Sequence, residues 1–75
     1  MNILTKNDVY KIKKGHIHTR ERGGHTMIEI IIDGKGFAFI GHIPIDHKLL
    51  KLIKKKIVGK TVIEAMRILN KIKYG

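Results

Sequence analysis

Seventy-five residues, 43% of them hydrophobic, suffice for one small core and leave no room for a second domain. Cysteine is absent, which excludes a disulfide scaffold and a thiolate metal site and fits a reducing cytoplasm. Sixteen Lys and Arg against six Asp and Glu leave a charge of +10 with histidines neutral. That balance favours polyanionic partners, although a solvated lysine-rich surface also accounts for part of it.

The first predicted element is a short helix. Thr5 caps it, Asp8 holds the reciprocal position of a capping box, and Leu4 and Val9 occupy the hydrophobic-staple positions. Val9 and Ile12 supply a thin apolar face, and Gly15 is the expected stop. Three strands follow, roughly 16–21, 25–32 and 35–43, with Gly23-Gly24 and Asp33-Gly34 as the turns between them. Pro44 ends the sheet. Asp46 caps a second helix that carries Leu49, Leu50, Ile53 and Ile57 on one face and Lys48, Lys51, Lys54 and Lys55 on the other. Gly59 closes it, and Thr61 with Glu64 forms a second capping box. That box opens a third helix, with Val62, Ala65, Met66, Leu69 and Ile72 turned inward. No leader segment or bilayer-length apolar run is visible, so a cytoplasmic protein with no membrane partner is expected.

Register converts these strands into a site. If Asp33-Gly34 is a two-residue turn, Ile30 faces Phe37, Ile28 faces Phe39 and His25 faces His42, all as cross-strand pairs. The isoleucines and phenylalanines then form the side that the helices cover. If Gly23-Gly24 is also a two-residue turn, Arg20 lies opposite Met27 and His18 opposite Glu29. The uncovered face collects His16, His18, Arg20, Arg22, His25, Glu29 and His42. A slip of one residue in either hairpin reverses the faces.

Histidine titrates near neutral pH, so His25 can take a proton from a ribose 2′-hydroxyl or deliver one to a leaving oxygen. Arg20 and Arg22 can offset charge that builds on phosphorus. His18 and His42 are candidates for further proton transfer, and Lys48 and Lys51 for extending a phosphate-binding groove. The histidines also allow a metal site, but no HExxH helix or finger spacing accompanies them, and the positive field opposes a cation. No cofactor motif is present; Gly34-Lys35-Gly36 lacks the strand–GxxxxGK[ST]–helix context of a phosphate loop. Tyr10, Tyr74, Phe37 and Phe39 are too few, or too buried in this register, for a base-stacking platform. His47, beside a helix start, reads as a surface residue.

The run Gly15-His16-Ile17-His18-Thr19-Arg20-Glu21-Arg22-Gly23-Gly24-His25, with Pro44 and His47 before a helix, resembles the HicA family of toxin mRNA interferases. That family has a small fold like the double-stranded RNA-binding domain. The resemblance implies RNA cleavage with His25 on the family's catalytic histidine, and neutralisation by a HicB-type antitoxin. Gly24 stands where the family usually has serine, the second hairpin is longer, and the second helix lacks the usual Gly-Thr entry. A shorter likeness, 59–65, is to a helix junction of iron–sulfur scaffold proteins, whose sites need the cysteines this chain lacks.

The expectation is therefore one α+β domain over 1–75: a helix, a three-stranded antiparallel sheet and two helices on one sheet face. Its expected function is RNA binding with metal-independent endoribonuclease activity at His25. The alternatives are a non-catalytic nucleic-acid-binding module and an interaction protein whose basic face meets an acidic partner.

Overall fold

The two hairpins close through chemically different turns, and that difference sets the faces of the whole sheet. In the computed structural model, which describes Leu4 and residues 9–74, β1 (Ile17–Arg22), β2 (His25–Ile32) and β3 (Gly36–Pro44) form an antiparallel sheet in that order. Gly23 and Gly24 both take positive φ, 57° and 81°. Two consecutive glycines adopt this tight turn without steric cost. The first register follows as expected, with Arg20 opposite Met27 and His18 opposite Glu29.

The second turn departs from expectation. A two-residue turn of the same kind needs positive φ at both Asp33 and Gly34. Only Gly34 has it, at 76°. Lys35 N–H donates to Ile32 C=O at 3.0 Å, and Ile32 pairs with Gly36, so the connection takes three residues. Ile30 now faces Ala38, and Ile31 faces Phe37. A bulge follows: Glu29 pairs with Phe39 and Ile28 with Gly41, leaving Ile40 as the extra residue. The bulge restores the expected parity beyond it, so Ile43 is buried as anticipated. Ahead of the bulge the faces are exchanged. Ala38 and Ile40 enter the core in place of Phe37 and Phe39.

Helices α1 (His47–Ile57) and α2 (Val62–Tyr74) cover the side bearing Ile28, Ile30, Ile32, Ala38, Ile40 and Ile43. They contribute Ile53, Ile57, Val62, Ala65 and Leu69 to the core, as their periodicity predicts. At the bulge, Gly41 has φ 149°, and a Cβ there would run into the Leu69 side chain. Glycine thus lets α2 approach β3 closely.

The described part of the predicted first helix is not helical. Residues 9–13 are irregular and lead into a single 3-10 turn, Lys14–His16; Thr5 and Asp8 lie outside the described residues. Ile12 N–H donates to Lys60 C=O (2.8 Å), and Ile12 C=O accepts from Gly59 N–H (2.7 Å). These bonds tie the segment to the α1–α2 connection, using groups that a helix would have paired internally. Ile12 is buried there, whereas Val9 is 76% exposed and supplies no apolar face. Leu4 joins the core, and its N–H donates to Phe37 C=O at 2.7 Å.

Both later caps form. Asp46 accepts from Leu49 N–H at 3.0 Å. Glu64 accepts from Thr61 N–H at 2.9 Å and from the Thr61 hydroxyl at 3.0 Å. The Thr61 backbone bond, then the hydroxyl bond, hold the Glu64 carboxyl below its usual pKa, with Lys11 and Lys60 adding to the effect. A depressed carboxylate contributes stability above the unfolded-state pKa of about 4.3 and loses it as pH falls through the lower folded value. Glu64→Gln should therefore lower the melting temperature at pH 7. The difference from wild type should vanish in acid, once Glu64 is protonated; a pH series of thermal melts measures this.

Candidate nucleic-acid interface

On β2 the core takes Thr26, Ile28, Ile30 and Ile32, so alternation turns His25, Met27, Glu29 and Ile31 to the other side. Their partners in β1 bring His18, Arg20 and Arg22 to that side, and those in β3 bring Phe37, Phe39, His42 and Pro44. Among the described residues, no helix covers this face.

His25 and His42 meet there, with ring centroids 5.0 Å apart and planes tilted by 43°. They are not the directly opposed pair that the two-residue turn implied. His25 lies opposite Pro44 and His42 opposite Met27, so the rings touch on a diagonal. His42 Nδ1 is buried and has no hydrogen-bond partner among the described residues. Such an atom costs about 1–3 kcal/mol. Arg22 sits directly across from His25 at the first turn.

Arg20 is engaged on the same face. Its Nε lies 3.1 Å from Glu29 Oε1, with the arginine side chain 73% exposed and the glutamate 18%. Exposed pairs of this kind contribute about 0–1 kcal/mol to stability, so the guanidinium can change partners cheaply. His18 stands opposite Glu29 on the edge strand.

Three expected site residues lie elsewhere. His16 belongs to the 3-10 turn rather than to β1, and its Nδ1 accepts from Lys13 N–H at 3.0 Å. Lys48 and Lys51 are exposed on α1, which turns Ile53 and Ile57 to the sheet. Helical spacing puts both lysines on the outward side of α1, so the sheet separates them from Arg20 and Arg22. Lys51 instead joins Lys14, Lys54 and Lys55 around Val58, lining a cleft of about 410 Å³. The chain therefore has two basic surfaces rather than one extended groove. His47 and Leu50 line another cleft with Thr19, Arg20, Glu21 and Thr26, between β1 and the start of α1.

Sequence reasoning missed Phe37 and Phe39 as face residues. Phe37 is half-buried, and Phe39 is 45% exposed. The available signal was the unequal chemistry of Asp33-Gly34 and Gly23-Gly24, because only the second pair takes two positive φ values freely. No cluster of three or more His, Asp or Glu suited to a metal ion occurs among the described residues. No described helix is long and apolar enough to cross a membrane. The chain matches no family model, and no curated protein or solved structure is significantly similar to it.

Proposed function

We propose that this protein binds RNA on the uncovered sheet face and cleaves it without a metal, using His25 and His42 as an acid–base pair. The observation that carries this reading is the contact of the two imidazoles at 5.0 Å on the face that also presents Arg20 and Arg22. In the reaction, His25 takes the proton of a ribose 2′-hydroxyl as its oxygen attacks the adjacent phosphorus. The bond from phosphorus to the 5′-oxygen breaks, and His42 supplies the proton that this leaving oxygen needs. The products are a 2′,3′-cyclic phosphate and a free 5′-hydroxyl. Arg22, across from His25, offsets the charge gathering on the phosphoryl oxygens.

The resemblance to HicA toxins agrees with the role given to His25 and adds a HicB-type antitoxin as partner. The irregular segment 9–13 departs from the leading helix of that pattern. Growth arrest on inducing the chain, relieved by a co-expressed antitoxin, is the outcome that this extension requires.

The direct test is incubation of purified protein with end-labelled RNA in EDTA. Fragments ending in cyclic phosphate support the proposal, and intact RNA overturns cleavage. Binding is read separately from its salt dependence. Phosphate contacts release counterions, so affinity should fall steeply between 50 and 200 mM salt, by roughly tenfold or more. Arg20→Gln with Arg22→Gln should flatten that slope. Cleavage absent but steep, arginine-dependent binding present would leave a non-catalytic RNA-binding module.

A further inference from the structure

We infer that the substrate is single-stranded, with two consecutive bases stacked on Phe37 and Phe39 while the strand beyond them turns its phosphates toward Arg20, Arg22 and the two histidines at the other end of the sheet. This rests on the RNA-binding reading above and names the form of RNA that the face accepts. Phe37 and Phe39 are two residues apart on one side of β3, so their Cα atoms are separated by about 7 Å along the strand. Phe39 is 45% exposed, and half-buried Phe37 is the cross-strand partner of Ile31 on β2. The cationic residues occupy the opposite edge of the sheet. Arg20 and Arg22 on β1 are two strand spacings across from β3, about 10 Å, and the register sets them about 7 Å and about 14 Å further along the sheet than Phe39, toward the histidine end. The Arg20 side chain and one nucleotide together span the diagonal from Phe39, and Arg22 meets the strand further on.

The residue between the two lines sets the orientation. Glu29 lies across from Phe39 on one side and His18 on the other. Its carboxylate repels a phosphate beside Phe39, and its ion pair draws the Arg20 side chain toward the central strand, 3.1 Å from Glu29 Oε1. Bases, which carry no charge, can cross the middle. A duplex cannot use this surface because its base faces are already stacked and paired. Aromatic stacking accepts any base, so recognition should depend little on sequence.

Fluorescence anisotropy with three probes tests the inference: a labelled 12-nucleotide single-stranded RNA, the same sequence as a duplex, and a strand with central abasic residues. Single-stranded RNA should bind roughly tenfold or more tightly than either of the others. Phe39→Ala should lose about the same factor on the intact strand and almost nothing on the abasic one. Phe39→Trp provides a readout independent of affinity. The chain contains no tryptophan, so the single indole should be quenched by the intact strand and not by the abasic strand.

Equal affinity for intact and abasic strands, with Arg20 and Arg22 still required, would overturn stacking while leaving RNA binding standing. Failure to bind any of the three probes would overturn the RNA reading itself. If Phe39→Ala leaves RNA affinity unchanged but dissolves a dimer seen by sedimentation, the face is occupied by a second copy of this chain, and stacking is rejected.

Discussion

Gly41→Ala should destabilise the protein by about 2–4 kcal/mol, a large share of what a domain of this size possesses. Two costs act together. Gly41 holds φ 149°, a backbone conformation that residues with a Cβ rarely adopt. The added methyl would also be directed into Leu69, which is buried where α2 crosses β3. The melting temperature should fall by about 10–25 °C. Gly15→Ala is the matched control, since Gly15 has open space around its Cα and no positive φ; it should change stability by no more than about 0.5 kcal/mol. Adding Leu69→Ala to Gly41→Ala should cost less than the sum of the two single changes, because the smaller side chain accommodates the new methyl. A loss below about 1 kcal/mol for Gly41→Ala would show that the bulge tolerates an ordinary residue, and the close approach of α2 would need another explanation.

His25→Ala should reduce RNA cleavage by roughly 10²–10⁴-fold while changing RNA affinity little, since proton transfer rather than binding is what the imidazole provides. His42→Ala should cost a similar factor. The double variant should be scarcely worse than either single one, because two groups that act as a unit fail together. Lys48→Ala and Lys51→Ala should leave cleavage unchanged, because the sheet separates α1's outward side from the histidines. Normal cleavage by His25→Ala would refute the assignment. Full activity in His42→Ala would confine the chemistry to His25 and remove the pair.

Much of the fold was legible from local chemistry. Asp46 and the Thr61–Glu64 box mark helix starts because their side chains meet donors only three residues away, an interaction complete within the segment. The inward residues of α1 and α2 follow from 3.6-residue spacing in the same local way. The first hairpin was legible too, since Gly23-Gly24 supports the tight two-residue turn directly and brings Arg20, Arg22 and His25 together. The opening segment was not. Its caps and staple favour a helix, but Ile12 is captured by the backbone of Gly59 and Lys60, far along the chain. A short helix is marginal by itself, so tertiary bonds decide such a case.

The sequence by itself determined one basic α+β domain, two amphipathic helices, and the sheet face that receives His18, Arg20, Arg22 and His25. Tertiary structure alone decided the register of β3. Side-chain alternation has a period of two, so one extra residue in the Asp33–Lys35 connection turns Phe37 and Phe39 outward, and the bulge at Ile40 returns His42 to the histidine face. The choice is made by packing: Ala38 and Ile40 fit beneath the helices, Gly41 admits Leu69, and the phenylalanines are left on the side of the sheet that bears the arginines.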